Sequence, residues 1–268
     1  MTPERGIDVS VVVPVYRNAD TLEELHTRLA TVLEGRGLEF EVLYVDDACP
    51  LGSLDVLRTV ARSDPRVAVV SLARNAGQHR AVLAGLSLAR GRGAVVLDAD
   101  LQDPPEAIPQ LLAKLGEGYG AVFAGRRGRY ESLGRLLTSR LFKRLLSRLC
   151  GAGDGLADAG LYVVLDRPTV SRLLSMENGA PFVVAMIGCA GLPLASVPVV
   201  RSPRPSGESA YSSWRRLQSG LRGVAWVIRW RVGRRRTPDA APAIVGARIG
   251  ERFRTMEPAT PWEVRSAP

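Results

Sequence analysis

Two aspartates separated by one residue, Asp98-Ala99-Asp100, directly follow a short apolar run from Ala94 to Leu97. If that run is a strand, alternate side chains point the same way, and both carboxylates face one ligand. With Gln102 two positions further on, the segment offers hard oxygen donors of the kind that hold Mg²⁺ or Mn²⁺. Such a cation bridges diphosphate oxygens and neutralises the charge that develops when a nucleoside diphosphate leaves. The pattern is common by chance. Its place at a strand end is what gives it weight.

Further polar groups stand at the ends of other apolar runs. Pro14-Val15-Tyr16 follows Val9 to Val13, Asp46-Asp47 follows the run from Phe40, and Arg74-Asn75 follows Val67 to Leu72. Between these runs lie segments with helical spacing: Thr21 to Leu33 (Leu22, Leu25, Leu29, Leu33), Ser53 to Ala61, His79 to Ala89 and Pro105 to Leu115. Ala121 to Ala124 is a further strand. Regular alternation of this kind predicts an α/β fold, a Rossmann-like domain with a mainly parallel central sheet and helices on both faces. In such sheets the ligand lies outside the carboxyl ends of the strands, where these four polar groups fall.

The charge is uneven along the 268 residues. Net charge is +9, and its excess is concentrated in two stretches. Arg126 to Arg148 holds eight basic residues against Glu131 alone, and Arg201 to Arg236 holds ten arginines against Glu208 alone. An acidic centre followed by basic stretches suits a cation site that faces a phosphate-bearing ligand, although a basic excess by itself also fits nucleic acid, an acidic lipid surface or solvated helix faces. No nucleic-acid reading motif and no interleaved aromatic platform is present, so nucleic acid is not expected as a partner.

The motifs together resemble family 2 glycosyltransferases. The resemblance rests on Val11-Val12-Val13-Pro14-Val15-Tyr16, Val45-Asp46-Asp47, the long run from Asp98 to Glu106 (Asp-Ala-Asp-Leu-Gln-Asp-Pro-Pro-Glu), Arg74 to His79, and Arg204, Gly207, Ser209 and Tyr211 in a later loop. It covers residues 8 to 212, and is strongest toward enzymes that use a polyprenyl phosphate, such as dolichyl-phosphate mannose synthases and undecaprenyl-phosphate aminoarabinose transferases. It implies a GT-A fold and metal-dependent, inverting transfer from a UDP- or GDP-sugar. In that reading Pro14, Tyr16 and Asp46 hold the nucleoside, with Asp46 reading the base, and Asp47 contacts the ribose or supports the metal region. Arg74, Gly77 and Gln78 join the nucleotide site, and Asp98, Asp100 and Gln102 bind donor and cation. Arg127, Arg135 and Ser139 hold an acceptor phosphate. Arg204 and Ser209, with Gly207 and Tyr211, belong to a loop that closes over the site.

An ionised phosphate acceptor needs no strong base, so positioning and charge stabilisation carry such a reaction, and arginine suits phosphate through its forked donors. A soluble saccharide or natural-product acceptor is the alternative. A hydroxyl acceptor needs a carboxylate base, for which Asp158 is the candidate. His79 is expected to order the loop before its helix. The chain departs from the resemblance in three places: Arg17-Asn18 replaces the usual Asn-Glu, Ala48-Cys49 replaces Gly-Ser, and Val163 stands where relatives carry Arg.

Met1 to Asp8 is polar, so no leader peptide is expected. Cys49, Cys150 and Cys189 are few, odd in number and widely spaced, which predicts reduced, mostly buried thiols and a cytoplasmic protein. Ala180 to Val200 has no charge, but its prolines and glycines predict a buried helix (Phe182 to Cys189) and a strand (Leu194 to Val199) in place of a membrane span. Residues 213–236 read as a basic amphipathic helix, with Trp214, Leu217, Leu221, Val224 and Ile228 on one face and Arg215, Arg222 and Arg229 on another. That pattern fits a peripheral contact with the inner face of the cytoplasmic membrane or a subunit contact in a homo-oligomer. Residues 237–268, rich in Ala and Pro, are expected to be a mobile tail.

Overall fold

The computed structural model describes residues 6–127, 133–176, 181–202, 213–232, 244–246 and 264–266. Its packing divides the chain into two units. One runs to Pro109 and includes the residues from Ala240 onward; the other is Gln110–Asp239.

The first unit is built on four parallel strands. They are β1 (Val9–Val15), β2 (Phe40–Asp46), β3 (Val67–Leu72) and β4 (Gly93–Val96), separated by helices α1 (Leu22–Glu34), α2 (Ser53–Ser63) and α3 (Gln78–Leu88). Their order is β4-β1-β2-β3, with β1 paired in parallel to both β2 and β4. All residues of β1, β2 and β4 are buried. This is why they read as unbroken β-branched runs rather than alternating ones. The α/β expectation and its parallel sheet are thus observed. Within the C-terminal segment, β8 (Ile244–Gly246) pairs antiparallel with β3, and β9 (Val264–Ser266) pairs with β8. These strands fall inside the stretch expected as a tail.

Helix α3 lies close against the sheet because Gly85 has no side chain. A Cβ there would collide with Val12 Cγ1 and lie 3.1 Å from Val45 Cγ2. At the opposite edge from the strand carboxyl ends, buried Glu41 joins β2 to the turn before β4. It accepts from Ser10 Oγ (2.7 Å), Arg90 N (2.8 Å) and Arg90 Nε (2.9 Å). A buried carboxylate is tolerated only when its lone pairs are filled in this way.

The second unit contains β5 (Ala121–Arg127), flanked by parallel β7 (Leu194–Val200) and antiparallel β6 (Val163–Asp166). Helix α4 (Ile108–Leu115) precedes β5. Helices α5 (Leu133–Cys150), α6 (Arg167–Ser175), α7 (Val183–Cys189) and α8 (Ser213–Val232) follow. Sequence reading located α7 and β7 but not β6 and α6. The N-cap of α6 was nonetheless legible: Asp166 accepts from Thr169 N at 2.8 Å, with Pro168 in the first turn.

The face of α8 that packs inward does not carry Leu221 or Ile228 of the apolar stripe. Gly223, Trp226 and Val227 are buried, whereas Leu221 and Ile228 are exposed. Gly223 seats the helix against Phe182, since a Cβ there would come 2.9 Å from Phe182 Cδ1. Trp226 stacks on Trp230 with ring centroids 5.7 Å apart.

Replacing Gly85 with Val should lower unfolding free energy by about 1–3 kcal/mol through overpacking against β1 and β2. Urea denaturation checks this: the midpoint falls while the slope is unchanged. An unchanged midpoint would show that α3 can shift without cost.

Candidate active site

Because β1 to β4 are parallel, their carboxyl ends share one edge, and strand order makes a crevice there. The chain proceeds from β1 outward to β2 and β3, and β4 lies on the other side of β1. The gap between β1 and β4 is therefore the topological switch point, where ligands bind in open α/β sheets. Asp98, Ala99 and Asp100 leave β4 at this point.

The side chains around it hold one another. Gln78, the first residue of α3, donates through Nε2 to Asp98 Oδ1. Asp100 Oδ1 accepts from Gln102 N at 3.1 Å, an Asx-type turn that fixes the carboxylate relative to the loop. The Ala99 carbonyl oxygen accepts from the Thr21 hydroxyl at 2.5 Å, which ties this loop to the turn before α1. Asp98, Asp100 and Gln102 are all half-buried, and Asp103 is fully buried.

On the far side of β1, Asp46 ends β2 and Asp47 follows it. Both are buried, at 2% and 3% exposure. Asp46 accepts from Cys49 N and from Ser71 Oγ, each at 3.2 Å. Asp47 accepts from Ala76 N (2.6 Å) and Gly77 N (2.9 Å), while its own carbonyl oxygen takes a bond from Asn75 Nδ2 (3.3 Å). Asp47 thereby builds the loop that leads into α3 and delivers Gln78 to Asp98. Burial raises the affinity of both carboxyls for protons, and these hydrogen bonds work against it. Each carboxylate oxygen keeps acceptor capacity beyond the bond described.

Pro14 lies in β1 and Tyr16 follows it, 38% exposed. Arg74 is exposed on the loop after β3. Three residues of these strand-end loops adopt left-handed backbone without being glycine: Arg17 (φ 63°), Ala48 (φ 50°) and Leu101 (φ 58°). Two of them, Arg17 and Ala48, are positions where the sequence departs from the family pattern. Cys49, which follows Ala48 in the same departure, organises this corner. Its Sγ accepts from Arg17 N (3.2 Å) and Leu51 N (3.4 Å) and contacts Ser53 Oγ at 3.1 Å. Burial pushes the thiol up, but those hydrogen bonds outweigh it and leave it below the ordinary range. Sequence reading did not foresee Cys49, Ser71 or Thr21 as site supports, since each acts through a partner distant in sequence.

In the second unit, Arg127 ends β5, and Arg135 and Ser139 lie one turn apart on α5. Asp158 is exposed, accepts from Ser196 Oγ at 3.2 Å, and lies over Gly125, whose missing side chain leaves room for it. Arg204, Gly207, Ser209 and Tyr211 lie outside the described residues.

The donor set suits a hard divalent ion. Asp98 and Asp100 present carboxylate oxygens on one loop, and among the described residues no group of three or more His, Cys, Asp or Glu forms a self-sufficient cage. One or two carboxylates completed by substrate phosphates and water is the usual seat of Mg²⁺ or Mn²⁺ in phosphate chemistry. The residues present fit such an ion.

His79 is next in sequence to Gln78. Its ring Nδ1 is enclosed, and burial pushes the ring down to about 4. The ring is neutral when folded and titrates near 6.5 when unfolded. Its stabilising effect is therefore complete above pH 6.5 and is lost as pH falls toward 4. Wild-type protein should lose about 2–3 kcal/mol of unfolding free energy in this window from His79. His26, also held down by burial, adds to the loss. Urea unfolding between pH 7 and 4 should show a shallower decline for His79→Asn; equal declines would remove His79 from the account.

Comparison with known proteins agrees with this geometry. The model of the family "Glycosyl transferase family 2" matches residues 10–159. The chain is 34% identical over 221 residues to the uncharacterized glycosyltransferase YkcC of Bacillus subtilis (strain 168), covering 82% of this chain and 68% of that protein. Among solved structures, it is similar to the mannosyltransferase PcManGT from Pyrobaculum calidifontis in complex with GDP-Man and Mn²⁺ (TM-score 0.60, 22% identity, 84% of this chain and 65% of that one). It is also similar to glucosyl-3-phosphoglycerate synthase from Mycobacterium tuberculosis in complex with Mn²⁺, UDP and phosphoglyceric acid (TM-score 0.61, 23% identity, 88% and 81%). At these identities the two structures speak for the fold. With parallel strands converging on paired carboxylates and a family match over more than half its length, the chain belongs to glycosyl transferase family 2 and is a glycosyltransferase of the GT-A fold.

Proposed function

We propose that this enzyme moves a sugar from a UDP- or GDP-sugar to a polyprenyl phosphate, with inversion at the anomeric carbon and with Mg²⁺ or Mn²⁺ as cofactor. The observation that carries the donor half is the placement of Asp98 and Asp100 at the switch point, with Asp98 held by Gln78. Asp98 and Asp100, with Gln102, hold the ion. When bound, it offsets charge on the departing nucleoside diphosphate.

The remaining roles fall to side chains. Tyr16, exposed at the end of β1, offers a ring face to the nucleobase, and Asp46 and Asp47 reach the base edge and ribose through their remaining lone pairs. Arg74, Gly77 and Gln78 line the same side, Gly77 allowing backbone to approach phosphate closely. Arg127, Arg135 and Ser139 hold the acceptor phosphate, and Arg204, Gly207, Ser209 and Tyr211 close over it. The acceptor oxygen is already ionised near neutral pH, so a single in-line displacement needs orientation and positive charge more than a base.

A soluble phosphate-bearing acceptor is the second reading. It is favoured by the likeness to a synthase solved with phosphoglyceric acid. A neutral hydroxyl attacking there would hand its proton to Asp158. For the lipid reading the support lies on α8 and α5. On α8, Leu221 and Ile228 are exposed beside Arg222 and Arg229 in sequence, and on α5 Leu145 is exposed between Arg144 and Arg148, which are exposed too. No helix among the described residues is long and apolar enough to cross a membrane, so the contact envisaged is interfacial.

Asp100→Ala should lower transfer at least about 100-fold and abolish the Mn²⁺-dependent part of UDP or GDP affinity measured by isothermal titration. Retention of both would remove the site assignment. Paired assays with a short prenyl phosphate and with 3-phosphoglycerate distinguish the two acceptors: turnover on the second alone selects the soluble reading, and turnover on the first alone selects the lipid.

Deleting α8 would strip the buried Trp226 and Val227 from the second unit, so the membrane contact is better tested at its exposed residues. Leu221→Asp with Ile228→Asp should reduce sedimentation with anionic vesicles several-fold while leaving unfolding unchanged. Equal sedimentation of both proteins would exclude this face.

A further inference from the structure

Two thiols far apart in sequence meet in the second unit. Cys150 is the last residue of α5 and Cys189 the last of α7. Their side chains face the same cavity, and neither is in a disulfide. The approach depends on Gly188: a Cβ there would lie 3.1 Å from Cys150 Cβ and 3.2 Å from its Sγ. Cys150 is buried, with Sγ 3.6 Å from the Ala185 carbonyl oxygen, while Cys189 is half-buried. Both line a cavity of about 510 Å³ that Trp230 and Arg231 of α8 also line.

These groups are unequal in a way that assigns them parts. The Cys150 S–H favours a thiolate on Cys189, burial opposes it, and the Arg231 guanidinium supports it; the balance holds Cys189 below the ordinary thiol range. Cys150 is held above that range by the neighbouring Cys189 and by burial. The half-buried thiol is the nucleophile. The buried one resolves. None of the four residues is used by the transfer chemistry, so this reading stands apart from it.

We propose that Cys150 and Cys189 form a thiol–disulfide exchange site. It takes a low-molecular-weight, carboxylate-bearing disulfide from the cavity and closes to a reversible bridge between α5 and α7. In the first step the Cys189 thiolate attacks one sulfur of the reagent, RSSR. Its S–S bond breaks, and one RS⁻ leaves with the electron pair. Cys150 then loses its proton to solvent and attacks Cys189 Sγ in the mixed disulfide, expelling the second RS⁻. Both leaving thiolates take up protons. Two protein thiols are oxidised, and one small disulfide is reduced to two thiols; an excess of small thiol drives the reverse. Arg231 supplies the counter-charge for the reagent's carboxylate, and the cavity admits it.

The test uses the full chain carrying Cys49→Ser, which leaves two thiols, incubated with oxidised glutathione and quenched in acid. The expected result is loss of both thiols on titration after denaturation, no retained glutathione, and a Cys150–Cys189 linked peptide by mass spectrometry. Dithiothreitol should restore both thiols. The unaltered chain should give the same linked peptide, so the result does not depend on tolerance of any substitution. Adding Cys150→Ser should stop the reaction at one glutathione on Cys189. Adding Cys189→Ser instead should slow reaction of Cys150 by about tenfold or more, because its thiol is buried and little ionised. Arg231→Gln should slow the first step several-fold without changing the final product. Persistence of both thiols, a bridge between two chains, or glutathione that stays on Cys189 while Cys150 is present would overturn the proposal.

Discussion

The parallel pairing of β1 with both β2 and β4 is the constraint on which the site rests. It places Asp46 opposite Val15 and brings the residues that leave β4 alongside the end of β1. No side chain could be swung to this edge by a loop alone. A one-residue slip in either pairing would turn the buried β-branched rows over and carry the carboxylates with them. The rows are held by near-complete burial of every side chain in β1, β2 and β4, so the same apolar packing that stabilises the unit also sets the spacing of its acids. Gly85 and Glu41 guard that register from outside, one by letting α3 sit close and the other by tying the far edge of β2 to the turn before β4.

Function at the carboxyl edge is organised by carboxylates that play two kinds of part. Asp46 and Asp47 are spent largely on the backbone: they fold the turns around Cys49 and Gly77, and Asp47 thereby presents Gln78. Asp98 and Asp100 are less buried and stand at the crevice. The first pair positions the surroundings of the second. Such a division explains how acidic residues can crowd one rim of a protein whose net charge is strongly positive. The inner acids are neutralised locally by amide and hydroxyl donors, and the excess of arginine lies elsewhere in the chain.

Much of this was legible in the residues. Unbroken β-branched runs announced doubly buried strands, Leu22, Leu25, Leu29 and Leu33 announced α1, and polar groups at successive strand ends announced the edge. What escaped notice depended on distance or competition. Thr21 holds the Ala99 carbonyl and Ser71 holds Asp46 across separations that no local pattern encodes. Strand β6 was hidden because Val163 to Leu165 is short and bordered by glycine-rich loop, although Asp166 and Pro168 marked the helix after it. Three cysteines with no shared spacing gave no hint that two of them are neighbours. For α8 the apolar stripe was legible, but the face that packs inward was not. Gly223 decides the orientation, since a residue without a side chain admits the ring of Phe182 and pulls its own side of the helix inward.

Arg17, Ala48 and Leu101 share a left-handed backbone on the turns that leave β1, β2 and β4. A side chain at such an angle costs on the order of 1 kcal/mol relative to glycine, and all three stand around one crevice. Selection for heat resistance would therefore be drawn to glycine at these places, where a gain in conformational ease is immediately available. The same exchange would loosen the rim that keeps the acids in register, since glycine tolerates many angles where these residues hold one. Durability and catalytic precision pull in opposite directions at these three positions.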